Sequence, residues 1–397
     1  MKKLTFNRVG IILFCATLIG SGALTVVGSA KSIAKGTLSG IQSGYASKGI
    51  GGIVEGGISG LESSINENVY QRTSYINLYG LSARVFNKHY IIDTNTSSSV
   101  VKDNNNILQF ITNKVDTMPY VEKIASLKNV LDEMDTPLLY VQTPLKVIEG
   151  YTQMPKGITD YANANTDTFL DQLADAGIEA IDLRENVKQG NIDVSDLFYT
   201  TDHHWKTQTA FWAVGQTVEY IKENIGIDLD PEGFYTNIEN YASTFYEKNF
   251  LGSQGRRVGK YYGGVDDYTL MLPKFDTDYT VTINKSNGST VTEGTFEEAL
   301  VKYNLLNPTD IFTNRYAAYF GADFPEVIVR NHSADNDMKV LIFKDSFGLP
   351  FSAFLSTMVG ETRLVDTRYY EGDIEEYVKE YQPDLVLYVY KSINTQT

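Results

Sequence analysis

The sequence predicts an α/β fold in which a mostly parallel sheet carries helices on both faces. Short apolar runs alternate with stretches of helical periodicity, and glycine or proline stands between many of them. With 397 residues, 42% of them hydrophobic and 21% charged, the chain can bury a sizeable core. Between about 226 and 335 the alternation is lost, which indicates an insertion.

Residues 1–30 have the composition of an export signal or a membrane anchor. Basic residues precede an uncharged apolar stretch from Val9 to Val27, which is the order that directs export. The small residues at 28–30 suit signal peptidase, but the apolar stretch is also long enough to span a bilayer. Both alternatives, a cleaved signal peptide and a retained anchor, predict an extracytoplasmic protein that is secreted or held at the cell surface.

The next segment, residues 31–60, is rich in glycine and serine. Glycine loses much backbone entropy on ordering, and this segment has few large side chains to compensate for that loss. We therefore predict a flexible spacer here and assign the catalytic domain to residues 61–397.

Two bulk properties exclude classes of function. The net charge of −15 argues against nucleic acid as a partner, because binding to phosphates requires basic surfaces. The only cysteine, Cys15, lies inside the apolar stretch. The exported part therefore has no thiol for a disulfide, for thiolate catalysis or for a cysteine metal site.

The first part of the predicted domain contains two helix–strand units. One is a helix of period 3.6 that ends near Met134, followed by the buried strand 138–141. The other is a helix around 169–174, ended by Gly177 and followed by the strand 178–183. Helices that alternate with strands in this way indicate a parallel sheet.

The same alternation returns at the end of the chain. It predicts the strand 340–343, a helix over 350–359, the strand 363–366, a helix over 374–381 and the strand 385–389. The insertion at about 226–335 contains short alternating runs, which indicate β-structure. We expect it to lie near the active edge, since loops at the carboxyl ends of strands build the site in such folds.

The most informative stretch for chemistry is T-T-D-H-H-W at 200–205. Asp202 stands two residues before His204, so its carboxylate can fix the tautomer of the imidazole and stabilise its cation, as a general base requires. The alternative interpretation is a capping aspartate beside a buried histidine pair.

The second informative stretch is K-V-L-I-F-K-D-S-F-G at 339–348. It places Ser346 between a buried strand and a helix, where its hydroxyl is exposed and N–H groups at the start of the helix can receive an oxyanion. The alternative is that Asp345 or Ser346 merely caps that helix.

Together the two stretches supply a Ser, His, Asp set, and at this point the sequence resembles the DHHW proteins and their relatives, the SGNH-hydrolase-like alginate O-acetyltransferases. The resemblance covers about 61–397. Its markers are N-E-N-x-x-x-R at 66–72, V-Q-T-P-L-K at 141–146, T-D-H-H-W at 201–205, G-S-x-G-R-R-x-G at 252–259, K-D-S-F-G at 344–348 and D-T-R-Y at 366–369.

The resemblance implies an SGNH-like fold with Ser346 as nucleophile, His204 as base and Asp202 as acid. The Asp–His pair precedes the serine, a permuted order shared with the alginate acetyltransferase group. The resemblance also implies a membrane-bound O-acyltransferase as the source of acyl groups and a polysaccharide as the acceptor.

We therefore expect an extracytoplasmic O-acyltransferase, in the first place an O-acetyltransferase, that modifies a cell-wall polymer or an exopolysaccharide through an acyl-serine and needs no cofactor. If water is the acceptor, the protein is a carbohydrate esterase. The non-enzymatic alternative is a glycan-binding scaffold of a polymer-modification complex.

Three arginines are candidates for binding an anionic acceptor, although structural salt bridges are the competing explanation: Arg256, Arg257 and Arg368. Asp202, His203 and His204 together could also bind a metal. We expect no metal site, because neighbouring side chains on an extended segment point to opposite faces.

Overall fold

The computed structural model describes residues 6–91, 99–190, 192–306 and 309–391. It divides into two compact units, Met1–Ser82 and Ala83–Thr397. The boundary between the units therefore lies about 20 residues beyond the predicted start of the catalytic domain, inside a helix.

The N-terminal unit is a helical hairpin. Helix α1 (Phe6–Lys48) is followed by a short 3-10 turn (Gly49–Gly51) and helix α2 (Gly52–Glu67). Within Arg8–Glu67 lies the one helical segment of the described chain that is long and apolar enough to cross a membrane.

The prediction of a flexible spacer over 31–60 is wrong, because these residues are helical. The glycines let the two helices touch along their backbones. A Cβ atom on Gly40 would lie 2.2 Å from the carbonyl oxygen of Gly56, and one on Gly44 would lie 2.1 Å from that of Gly52. The entropy that glycine loses on ordering is offset here by a backbone approach that no larger residue permits.

The second unit begins within α3 and continues into a small antiparallel sheet. The order of its strands is β1-β2-β3. The bounds are α3 (Arg72–Val85), β1 (Tyr90–Ile91), β2 (Val100–Lys102) and β3 (Leu108–Phe110).

The two helix–strand units predicted before the insertion are present. Two further helices and then the elements of the insertion follow them. The bounds are α4 (Met118–Glu133), β4 (Leu138–Gln142), α5 (Ala162–Asp175), β5 (Glu179–Asp182), α6 (Leu183–Lys188), α7 (Thr207–Tyr220), β6 (Tyr241–Phe250), α8 (Ser253–Val258), α9 (Lys260–Gly263), β7 (Asp266–Pro273), β8 (Tyr279–Lys285), β9 (Gly288–Gly294) and α10 (Phe296–Leu300).

The remaining elements complete the main sheet. They are β10 (Glu326–Asn331), β11 (Lys339–Lys344), α11 (Gly348–Leu355), β12 (Glu361–Val365), α12 (Ile374–Tyr381) and β13 (Leu385–Tyr390). The helix predicted over 350–359 thus begins two residues earlier and ends four residues earlier than expected.

The main sheet has eight strands in the order β5-β4-β13-β11-β12-β10-β8-β9. The strands from β5 to β12 run parallel, whereas β10, β8 and β9 add to the edge in antiparallel fashion. The predicted mostly parallel sheet is confirmed. The insertion is not wholly separate from it, since three of its strands extend this sheet and only β6 and β7 form a pair of their own.

Each face of the sheet supports its own hydrophobic core. In β11, Val340 and Ile342 pack with residues of α7 and α11, while Leu341 and Phe343 pack with residues of α4, α5 and α12. Successive side chains of a strand point to opposite faces, so a continuous apolar run predicts a sheet that is covered on both sides. The helices on both faces are confirmed.

Candidate active site

Ser346 lies in the turn between β11 and α11, at the carboxyl edge of the sheet. The preceding carboxylate shapes this turn: Asp345 is 1% exposed and accepts hydrogen bonds from the N–H groups of Phe347 (2.8 Å) and Lys391 (3.1 Å). Lys391 directly follows β13, the parallel neighbour of β11, so the turn that carries the serine is fastened to the adjacent strand.

The first three N–H groups that follow the serine donate hydrogen bonds within the turn. Phe347 donates to the Asp345 carboxylate, Gly348 to the Asp345 carbonyl at 3.0 Å, and Leu349 to the Ser346 carbonyl at 3.2 Å. These three N–H groups therefore have partners inside the turn, contrary to the expectation that they are free to receive an oxyanion.

The acid and the imidazole of the T-D-H-H-W block are in direct contact. The Oδ1 atom of Asp202 lies 2.5 Å from Nδ1 of His204 and also accepts the His204 backbone N–H at 3.0 Å. Its Oδ2 atom accepts the N–H of Ser253 at 2.6 Å. Burial alone would raise the pKa of Asp202, but the adjacent imidazoles of His204 and His203 and these hydrogen bonds hold that pKa well below its usual range.

The imidazole also reaches the serine. Nε2 of His204 lies 2.7 Å from Oγ of Ser346, although the two residues are 142 positions apart in the chain. Since the Asp202 carboxylate only accepts, Nδ1 carries the proton and Nε2 accepts from the serine hydroxyl. The three predicted residues thus form one hydrogen-bonded chain at the edge of the sheet.

Tyr316, which no sequence pattern indicated, packs on the face of the His204 imidazole. Its ring stacks on that of His204 with centroids 3.7 Å apart and planes at 8°. Its hydroxyl accepts the indole N–H of Trp205 at 2.9 Å, so it is fixed in turn. A lone tyrosine in the insertion gives no local signal for this role, because the stack forms only in the folded chain.

The two neighbouring histidines lie side by side, contrary to the expectation that they face opposite sides. Their ring centroids are 3.8 Å apart, and Nδ1 of His203 lies 2.7 Å from Oγ of Ser253. Burial lowers the pKa of His203 well below its usual value. The possible ligand atoms of Asp202, His203 and His204 lie within 4.8 Å of one another, but a metal there would have to displace the contacts of His204 to Asp202 and Ser346.

The G-S-x-G-R-R-x-G run packs against the T-D-H-H-W loop, so the insertion contributes to the site. A Cβ atom on Gly252 would lie 2.2 Å from Cβ of Asp202, and one on Gly255 would lie 2.7 Å from Cβ of Thr201. Only glycine permits this approach. It is what allows the N–H of Ser253 to reach the Asp202 carboxylate.

The three candidate arginines have different surroundings. Arg368 forms ion pairs with Asp366 (2.6 Å) and Asp323 (3.2 Å), and both acids also contact the buried Lys344. Arg256 donates to the Leu251 carbonyl at 3.0 Å. The exposed Arg257 lies with its guanidinium carbon 5.1 Å from the centroid of the Phe110 ring.

Arg368 thus forms structural ion pairs, as the competing explanation expects. Burial opposes its charge, but Asp366 and Asp323 outweigh burial and raise the pKa of Arg368. Acceptor binding by the three arginines stays a prediction.

Comparisons with known proteins support an SGNH hydrolase-like domain and the α/β fold. Residues 112–244 match the family model described as the SGNH hydrolase-like domain of acetyltransferase AlgX. A comparison with curated protein sequences found no match.

Among solved structures, the chain is similar to two of Bacillus cereus PatB1. One of them has a sulfonyl adduct, with 23% identity over 78% of this chain and 96% of that chain at a TM-score of 0.61. The other has 24% identity over 75% and 97% at a TM-score of 0.59. A DHHW family protein from Eubacterium siraeum has 16% identity over 76% and 93% at a TM-score of 0.56.

At such identities these structures show a common fold. The matched segment 112–244 contains the T-D-H-H-W block on which the predicted resemblance partly depends. That resemblance is confirmed: residues 112–244 match the SGNH hydrolase-like domain of acetyltransferase AlgX, and the chain shares the fold of PatB1 and of a DHHW family protein.

Proposed function

We propose that this protein is an extracytoplasmic O-acyltransferase, in particular an O-acetyltransferase, that modifies a cell-wall polymer or an exopolysaccharide through Ser346, His204 and Asp202. One observation carries the proposal: the 2.7 Å contact between His204 and Ser346 continues the 2.5 Å contact between His204 and Asp202. This is the arrangement that activates a serine for acyl transfer. The AlgX-type domain supports acetyl as the group transferred.

In the first half-reaction, Nε2 of His204 takes the hydroxyl proton of Ser346 while Oγ attacks the acyl carbonyl of the donor. The bond between the carbonyl carbon and the oxygen or sulfur of the donor then breaks. The leaving group takes the proton from Nε2, and an ester on Ser346 remains. Asp202 stabilises the imidazolium at the stage at which it carries both protons.

In the second half-reaction, a hydroxyl of the polymer gives its proton to Nε2 and attacks the serine ester. The bond to Oγ breaks, and Nε2 returns the proton to Ser346. If water attacks instead, the same groups release a free acid, and the protein is an esterase. The ratio of the two outcomes depends on how well the site positions the polymer and excludes water.

The apolar stretch from Val9 to Val27 supports a place at the outer surface of a membrane. It lies in α1, and its large side chains are exposed in the hairpin, as suits contact with lipid. In this setting a membrane-bound O-acyltransferase is the proposed donor of acyl groups. The net charge of −15 makes attachment to anionic lipid by charge alone unfavourable.

The first test uses a sulfonyl fluoride, which reacts with activated serine hydroxyls. A sulfonyl adduct is known for the PatB1 structure. We expect the reagent to label one peptide containing Ser346 and to block acetyl transfer from p-nitrophenyl acetate to a soluble glycan such as xylan. Labelling elsewhere, with transfer unaffected, would remove Ser346 from the mechanism.

The matching variant is Ser346→Ala, with Ser352→Ala as control. Ser352 is a buried serine of α11 in the same segment. We expect Ser346→Ala to lower the rate of transfer by about 10⁶-fold, as removal of a triad nucleophile does, while Ser352→Ala keeps its activity. If polymer acylation is unchanged in a folded, exported Ser346→Ala protein, the scaffold alternative is correct. Loss of activity on treatment with a chelator would instead favour the metal site.

A further inference from the structure

A buried lysine contacts the candidate site from the inside of the molecule. Lys146 closes the V-Q-T-P-L-K marker after β4 and is 5% exposed. Its Nζ atom lies 2.7 Å from the carbonyl oxygen of Asp202, 2.7 Å from Oε1 of Gln254 and 3.3 Å from the carbonyl oxygen of Thr200. All three acceptors are neutral oxygens, which is an unusual environment for a buried cation.

The chemistry of the lysine matches this arrangement. An ammonium group has three donors and no acceptor, and it meets three acceptors. Two of them flank Thr201 in the T-D-H-H-W loop, and the third belongs to α8, whose first residue, Ser253, donates to the Asp202 carboxylate. One ammonium group therefore links the loop that carries Asp202 to the helix whose first N–H binds the Asp202 carboxylate.

From these contacts we infer that Lys146 is a positioning residue: its ammonium group fixes the loop 200–204 against α8 so that His204 faces Ser346. The inference rests on the proposed function. Lys146 acts through the backbone of Asp202 and through Gln254.

The charged groups around Lys146 set its response to pH. Burial is the largest influence and lowers the pKa of Lys146 to about 7, while Asp266, Asp202 and Asp103 oppose this shift and Lys391 adds to it. A neutral amine has two N–H donors and a lone pair, so one of its three acceptors would face the lone pair. We therefore expect the loop to lose order as the pH rises above about 7.

The test is Lys146→Met, which keeps the length and removes the donors. We expect sulfonyl labelling of Ser346 to slow by about 10²-fold, since small displacements of reacting groups have effects of this size. We also expect the strongly downfield proton signal of the His204 Nδ1–H to disappear from the NMR spectrum while the thermal unfolding transition stays cooperative. A purely structural role would lower the midpoint of that transition without removing the signal from the folded protein.

Lys102→Met is the matched control. Lys102 lies in β2, is half-buried and, like Lys146, donates to a backbone carbonyl, that of Tyr262 at 2.6 Å. Labelling of Ser346 and the imidazole signal should stay at wild-type levels in this variant. Lys146→Arg keeps a charged donor, and we expect it to restore part of the labelling rate.

The outcomes separate this inference from the proposed function. If wild-type Ser346 is labelled and folded Lys146→Met reacts at the same rate with the NMR signal intact, the inference about Lys146 is wrong and the proposed function stands. If wild-type Ser346 is not labelled, the proposed function is wrong, and the inference about Lys146, which rests on it, is wrong as well. Should Lys146→Met not fold, Gln254→Met removes one of the three acceptors and must slow labelling several-fold, and a wild-type rate there overturns the inference.

Discussion

The two units of this protein reach close packing by opposite means. In the hairpin, backbone meets backbone, because Gly40 and Gly44 of α1 face Gly56 and Gly52 of α2 without side chains between them. In the second unit, large apolar side chains fill the two faces of the sheet. Glycine at every fourth position thus gives a helix a face on which another helix can pack. The glycine content of the segment alone had suggested a spacer.

The second unit also contains the polar chain from Asp202 to Ser346. After the loss expected for Ser346→Ala, the largest effect is expected for a change at Asp202. Asp202→Asn keeps the shape of the side chain but cannot hold His204 in the tautomer that accepts from Ser346. We expect kcat for acetyl transfer to fall by about 10⁴-fold, with hydrogen exchange in the hairpin unchanged. A fall of less than tenfold would show that Asp202 does not orient the imidazole.

A change in the hairpin should alter hydrogen exchange in the hairpin and leave the reactivity of Ser346 unchanged. In Gly40→Leu the new side chain would collide with the backbone of α2, since even a Cβ atom would lie 2.2 Å from the Gly56 carbonyl oxygen. We expect faster amide hydrogen exchange throughout α2, while sulfonyl labelling of Ser346 keeps its wild-type rate.

Gly28→Leu is the control for this comparison, because a Cβ atom at Gly28 would meet no other atom within 4 Å. Leucine is a better helix former than glycine, so we expect this variant to leave exchange in α2 unchanged or slower. Equal exchange in Gly40→Leu and Gly28→Leu would contradict the packing of α1 on α2.

The smallest expected effect concerns pH and the second unit alone. The pKa of Lys146 is lowered to about 7 in the folded protein, while it is about 10.4 in an unfolded chain. Between these values the unfolded chain binds more protons, so this group makes the free energy of unfolding rise with pH, by at most about 1.4 kcal/mol per pH unit. Stability and loop order therefore respond to pH in opposite directions.

The measurement is denaturant unfolding of wild type and Lys146→Met at several pH values between 7 and 9. We expect the difference in unfolding free energy to change in favour of the wild type as the pH rises. If the two proteins change in parallel, Lys146 keeps an ordinary pKa in the folded state, and the pH dependence proposed for the loop is wrong.

Local sequence patterns predicted most of the sheet and the turn that carries the serine. The apolar runs at 340–343 and 385–389 became β11 and β13, with ends shifted by at most one residue. The antiparallel edge could not be predicted in this way. Strand β8 alternates between buried and half-buried residues, whereas β9 has no buried residue, and only the pairing of β10 with β12 attaches these strands to the main sheet.

The sequence by itself determined the fold class, the apolar stretch near the N-terminus and the two blocks that supply Asp202, His204 and Ser346. These depend on periodicity and on spacings of a few residues, which are local properties of a chain. Only the tertiary structure decided that His204 contacts Ser346, that Tyr316 stacks on the imidazole and that Lys146 donates to the carbonyl oxygen of Asp202. These contacts join residues far apart in the chain, and their geometry follows from strand order and packing, which no local pattern encodes.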